Sequence, residues 1–290
     1  MVKYPIAKGF YSFDREELIK QIERCFLDKK FGPGYIPSEI KMNKKLLAGI
    51  VPHAGYEFSG PCAAFTYKEL YENYNFDTII IVGTNHYGIG SNISLLLDDW
   101  YTPLGYVESD KEFIKKILDS FDAVEDPIAF KYEHSIEVQL PFLKYLFDDK
   151  FKIVPILIKD LNLEKIRDFV RVIDNVSKEL NREIFILSSG DFTHHGEIYD
   201  YTYFKENIID NVKEMDLEYI DKIVKLDSEG LRDLIKKYNG TVCGIYPFIF
   251  FIEYTKYKKG RVELLRYYNS GEKTLNDDIV VGYGSIISYI

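Results

Sequence analysis

Apolar residues along the 290-residue chain fall into two alternating rhythms. Short, near-continuous apolar runs ending in Gly, Pro, Asn or Ser alternate with longer stretches in which apolar positions recur every three to four residues. The first kind reads as strands covered on both faces and the second as amphipathic helices, the pattern of βαβ units around a mainly parallel sheet. LLAGIV (46–51), TIIIVG (78–83), KIVPILI (152–158) and EIFILSS (183–189) are predicted as the central strands. Helices are predicted over 14–28, 60–72, 110–121, 163–180, 204–226 and 243–257. RVELLRYYNS (261–270) and IVVGYGSIISYI (279–290) read as two further strands joined by a turn region, GEKTLNDD, which makes an antiparallel C-terminal edge. No linker, repeat or low-complexity segment interrupts the pattern. The expected fold is one α/β domain over 1–290 with helices on both faces of the sheet.

Composition narrows the function classes. Hydrophobic residues make up 46% of the chain, enough for a large core, and 37 basic residues stand against 46 acidic ones for a net charge of −9. No basic stripe is present to neutralise phosphates, so nucleic acid is not an expected partner. The N-terminal MVKYPIAKGFYSF lacks a secretory pattern, and the longest apolar run, around Ile245 to Ile252, contains Pro247 and reads as a buried helix. No run approaches the roughly 20 residues that span a bilayer, so no membrane partner is expected. Cys25, Cys62 and Cys243 are odd in number and far apart, which fits a reducing, cytoplasmic setting rather than a disulfide framework.

Four of the five histidines fall just past a predicted strand: His53 after LLAGIV, His86 after TIIIVG, and His194 and His195 after EIFILSS. The carboxyl ends of strands form the ligand crevice of open α/β sheets, so residues distant in sequence can meet there. In VPHAGYEFSG, Pro52 stiffens the strand exit, Gly55 and Gly60 allow tight backbone and Ser59 can cap the following helix. GTNHYGIG repeats the arrangement around His86. Each segment alone also reads as a structural turn carrying a surface histidine. SSGDFTHHG places Asp191 three residues before His194, so that carboxylate and imidazole face the crevice together, or Asp191 caps a turn beside solvated histidines.

Cys243 lies at the predicted start of a helix, where backbone N–H groups favour the metal-binding thiolate, or it is an ordinary buried cysteine. Cys25 and Cys62 sit within helical patterns and read as core residues. His134 opens the predicted helix EHSIEVQLPFL, at the crevice edge or simply at a helix start. Two imidazoles with one anionic ligand and open positions suit Fe(II), and a thiolate as the anion also suits Cu or Zn. No Gly-rich phosphate loop, HExxH or GxSxG motif competes.

AKGFYSFDREELIKQIE, VPHAGYEFSGPCAAFTYK, VGTNHYGI, EHSIEVQLPFL, SSGDFTHHG and TVCGIYPF, in this order, resemble the Memo family from near the N-terminus to about residue 250. The resemblance implies a fold similar to class III extradiol dioxygenases. It implies that His53 and His86 are metal ligands and that Cys243 stands where those dioxygenases carry a glutamate ligand. Asp191 and His194 match two further pocket residues, with His194 at the acid/base position and Asp191 helping to orient it. The implied protein is a metal-dependent oxidoreductase with Fe(II) favoured and Cu or Zn as alternatives, or a non-catalytic metal- or peptide-binding protein that keeps a dioxygenase pocket. The implied ligand is a small molecule or a peptide, and the implied biological link is to AMMECR-type and radical-SAM proteins.

Overall fold

The computed structural model describes residues 1–290. Its strands are β1 (Val2–Lys3), β2 (Leu46–Val51), β3 (Thr78–Thr84), β4 (Ile93–Leu95), β5 (Asp99–Thr102), β6 (Gly105–Val107), β7 (Val124–Glu125), β8 (Lys152–Ile158), β9 (Ile184–Ser189), β10 (His194–His195), β11 (Arg261–Asn269) and β12 (Val280–Tyr289). The helices are α1 (Arg15–Leu27), α2 (Tyr56–Glu72), α3 (Lys111–Ser120), α4 (Leu140–Phe147), α5 (Leu163–Glu179), α6 (Ile208–Val224), α7 (Ser228–Tyr238), α8 (Ile245–Tyr257) and α9 (Ser270–Thr274).

The four apolar runs form neighbouring parallel strands in the order β2-β9-β3-β8. Alternation along β3 shows why they sit in the middle. Ile79 and Ile81 point into the cluster that contains α1, α2 and α4, and Ile80 and Val82 into the cluster that contains α3, α5 and α8. Helices therefore cover both faces. The sheet is mixed rather than mainly parallel, because β12 joins β2 antiparallel, β11 and β10 join β12 antiparallel, and β4 joins β8 antiparallel on the opposite side. A separate three-stranded sheet runs β1-β5-β6. No helix is long and apolar enough to cross a membrane.

Several local expectations change. α2 begins at Tyr56, carries Pro61 inside it and has Gly55 at its N-cap, so Ser59 lies in the first turn and donates to the Ala54 carbonyl instead of capping. The predicted helix 204–226 shortens to α6. Leu226 then takes a positive φ of 57°, and Asp227 accepts from the Gly230 N–H to start α7, which was not among the predicted helices. The GEKTLNDD turn region includes most of α9, whose capping box pairs Asn269 with Glu272. His134 does not open a helix: it lies in a loop ahead of a short 3-10 turn, Glu137–Gln139, and α4 starts only at Leu140.

Candidate metal centre

Neighbouring parallel strands end together, and that brings the unusual residues into one place. Val51 of β2 pairs with Ser189 of β9, and Val82 of β3 pairs with Ser188 of β9. His53, Asp191 and His86 each follow two residues after one of these three strand ends. Cys243 arrives from the other side, two residues before α8. The loops are stitched by the Gly190 N–H to the Val51 carbonyl, Thr84 Oγ1 to the Cys243 carbonyl and Ser135 Oγ to the Thr84 carbonyl. Gly190 and Gly244 meet backbone to backbone, and a Cβ on Gly190 would collide with the Gly244 Cα. That approach carries Cys243 to Asp191 and His53.

His53, His86, His134, Asp191, His194 and Cys243 all line one cavity of about 720 Å³, walled further by Phe10, Phe58, Tyr199, Ile279 and Tyr283. The His53 and His86 rings lie 5.0 Å apart, and His53 Nε2 is 3.2 Å from Cys243 Sγ. Donor atoms within 4.8 Å of one another form two sets, His53/His86/His134 and His53/Asp191/Cys243. Neither set holds His53, His86 and Cys243 together, so bringing that trio onto one ion requires a side-chain adjustment.

Proton accounting fixes the imidazoles. Ser189 has a single hydroxyl proton and donates it to the Ser135 carbonyl, so its oxygen accepts from Gln139 Nε2 and from His53 Nδ1–H. His53 therefore keeps its Nε2 lone pair. Glu133 Oε1 accepts from His86 Nδ1, and Oε2 accepts from the His86 backbone N–H, which leaves His86 Nε2 free in the same way. Burial works against the Glu133 charge, yet the hydrogen bond from His86, the nearby imidazoles and the Ser135 N–H hold its carboxyl down at about 2. His194 Nδ1 faces two acceptors, the Phe192 and Thr241 carbonyls, so it is the protonated nitrogen there too.

The centre is dry enough to suppress charge. Burial and then the neighbouring imidazoles push His53 well below its usual pKa, and burial brings His134 and His194 to about 4. Burial raises Asp191 to about 7 against the backbone N–H groups of His53 and Ala54. Burial, with the Asp191 charge behind it, raises the Cys243 thiol well above its usual value. Neutral imidazole nitrogen is the form that binds a metal, and a cation offsets the burial of thiolate and carboxylate, so the donor set fits a transition metal.

Asp191 does not orient His194. Its Oδ1 accepts from the His53 backbone N–H at 2.8 Å, and His194 is held by Phe192 and Thr241. His195 turns from the cavity and accepts from the Phe204 N–H. Cys25 and Cys62 are buried apart from the centre. The sequence reading missed Glu133, Ser189 and Thr241. Only Glu133, beside His134 in EHSIEVQ, carried a signal, as a carboxylate next to a candidate imidazole.

The sequence profile of Memo-like proteins matches residues 4–287. A MEMO1 family protein of Methanopyrus kandleri is 38% identical over 286 residues, covering 97% of this chain and 96% of its own length. One from Ignicoccus hospitalis is 39% identical over 291 residues, covering 99% and 98%, and one from Pyrobaculum aerophilum is 39% identical over 293 residues, covering 99% of each. With a family match across nearly its whole length and relatives of this identity, the chain belongs to the Memo family.

Proposed function

We propose that the cavity is a transition-metal site on a fold of the class III extradiol dioxygenase kind, and that the protein is a cytoplasmic, metal-dependent oxidoreductase acting on a small molecule. His53 and His86 are the imidazole ligands and Cys243 the anionic one, with Fe(II) favoured over Cu or Zn. The observation that carries this reading is that buried oxygen acceptors fix both His53 and His86 with the proton on Nδ1 and the lone pair on Nε2. A bound ion of this kind supplies Lewis acidity and one-electron redox chemistry. The chain supplies the rest. The aromatic walls exclude water, and His194 Nε2 takes a proton from an acidic group of the bound molecule. The positive charge that then develops on the ring faces the Phe192 and Thr241 carbonyls.

A second reading keeps the metal and drops turnover. It is favoured by sulfur at Cys243, where the dioxygenases carry a carboxylate, because thiolate changes the charge and redox preference of the ion. Protein purified without oxygen and analysed for Fe, Cu and Zn, then mixed with catechols and O₂, separates the two. Stoichiometric metal with oxygen uptake supports the oxidoreductase, and stoichiometric metal without uptake supports the binding protein. Absence of metal affinity overturns both.

A further inference from the structure

No basic side chain lines the cavity. None of its residues is Lys or Arg, and Lys273, the basic residue of α9, turns instead to Phe31, with Nζ 5.6 Å from the ring centroid, and lines a separate cavity with Cys25 and Asp28. The hydroxyl groups of the cavity are committed, with one exception. Thr241 donates to the His194 carbonyl and accepts from the His194 N–H, and Ser270 donates to the Ile279 carbonyl and accepts from the Val281 N–H. Thr274 donates to the Ser270 carbonyl, and Tyr283 is hydrogen-bonded to Ser270. Tyr199 alone keeps a hydroxyl proton that no protein group takes. Its ring is fixed all the same: it meets His194 edge to face at 5.0 Å and packs against both the main core and the small cluster of Tyr268, Val281 and Tyr283.

We propose that the cavity selects an uncharged ligand over an anionic one and that Tyr199 is the residue that orients it, donating its hydroxyl proton to a carbonyl or hydroxyl oxygen of the bound molecule. This rests on the reading of the cavity as the site of a small molecule. Charge carries the selection. An anionic substituent entering between Phe10, Phe58, Ile279 and Tyr283 leaves water and meets no guanidinium or ammonium group, whereas sites built for carboxylate or phosphate supply one. A divalent ion in the cavity does not reverse this, because the Cys243 thiolate and the Glu133 carboxylate behind His86 already offset its charge. Geometry carries the orientation. A fixed phenol ring holds its hydroxyl at a fixed point, and because the Tyr199 and His194 rings are in contact, a molecule held by the one presents its polar edge to the other.

The test is calorimetric titration of the full chain, as purified, with 3,4-dihydroxybenzamide and 3,4-dihydroxybenzoate, which have nearly the same shape and differ in charge. The amide is expected to bind at least about tenfold more tightly, since only the carboxylate loses hydration without gaining a partner. Equal affinities, tighter binding of the carboxylate, or failure of both to bind overturns the selection. Tyr199→Phe is expected to weaken the amide about threefold to tenfold, the share of one hydrogen bond, with melting temperature and metal affinity unchanged. An amide affinity that does not move returns Tyr199 to a packing role. Ile279→Lys sets an ammonium group on the wall at a position 41% exposed, and is expected to narrow the ratio of the two affinities. A ratio that stays the same means that the cavity does not sort by charge. Metal affinity measured on the same samples keeps the two readings apart: protein that binds metal without preferring the amide refutes the selection alone, and protein without metal affinity refutes the metal-site reading.

Discussion

Glu133 grips His86 at two points, with Oε1 accepting the ring Nδ1–H at 2.9 Å and Oε2 the backbone N–H at 2.8 Å. The same Oε1 takes the backbone N–H groups of His134 and Ser135, so one buried carboxylate fixes two imidazole-bearing loops. Glu133→Gln removes the charge and two of the acceptor sites while nearly keeping the volume. Metal affinity is expected to fall about 10- to 100-fold, as at other sites where the orienting carboxylate is lost. A chelator competition titration measures it, and an affinity equal to that of the unsubstituted protein would show that the ring needs no such support.

Gly190→Ala tests the approach of the two loops. The added methyl group strikes the Gly244 backbone, which has no flexible side chain to move aside. Either the Asp191 loop or the start of α8 must shift, opening the 3.2 Å separation of His53 and Cys243. Denaturant unfolding should show a loss of about 1–3 kcal/mol, the usual range for overpacking, together with weaker metal binding. Unchanged stability and binding would mean that the loops are not in contact.

His194 lines the cavity but belongs to neither donor set. His194→Ala should leave metal stoichiometry intact and lower any turnover by about 10²- to 10⁴-fold, the range of an acid/base group. Because its pKa lies at about 4, the residue stays a free base through mildly acidic solution. Metal loss as complete as in His53→Ala would instead make it a ligand.

Asp216 sits on α6 beneath Gly282 and accepts from the Thr193 hydroxyl, the Tyr267 hydroxyl and the Thr193 N–H. Burial raises its carboxyl to about 7 in spite of these donors. Between pH of about 4 and about 7 the folded chain holds a proton that the unfolded chain has released. The stabilising contribution of this group is therefore complete below pH of about 4 and is lost as the pH rises through about 7. Asp216→Asn, which cannot ionise, should gain in melting temperature relative to the unsubstituted protein between about pH 5 and about pH 8. A difference that stays flat or reverses sign would place the carboxyl in a wetter setting.

The sequence announces what burial on both faces forces. The four central strands appear as unbroken apolar runs, and the two glycine-flanked histidines appear because each follows such a run. Contacts between loops distant in the chain leave no periodic trace. Ser189 acts on His53 across 136 positions and Glu133 on His86 across 47. The pairing of Asp191 with His194 is suggested by nearness along the chain, but the turn after β9 sends the carboxylate to the His53 backbone instead. Strands β4 to β7 have two to four residues each, too few for an alternation to show.

Ile50 finds its partner in Ile286, and the first residues of the same C-terminal strand, Val280 and Val281, hold His195 and His194. Closing so long a loop costs chain entropy before any contact rewards it. One event, the seating of β12, both seals the β2 edge and sets the His194 wall of the cavity. A chain in which β12 has come loose carries an open strand edge, a template for association with other chains. Any ligand that binds only the folded cavity would draw the chain away from that open-edged form.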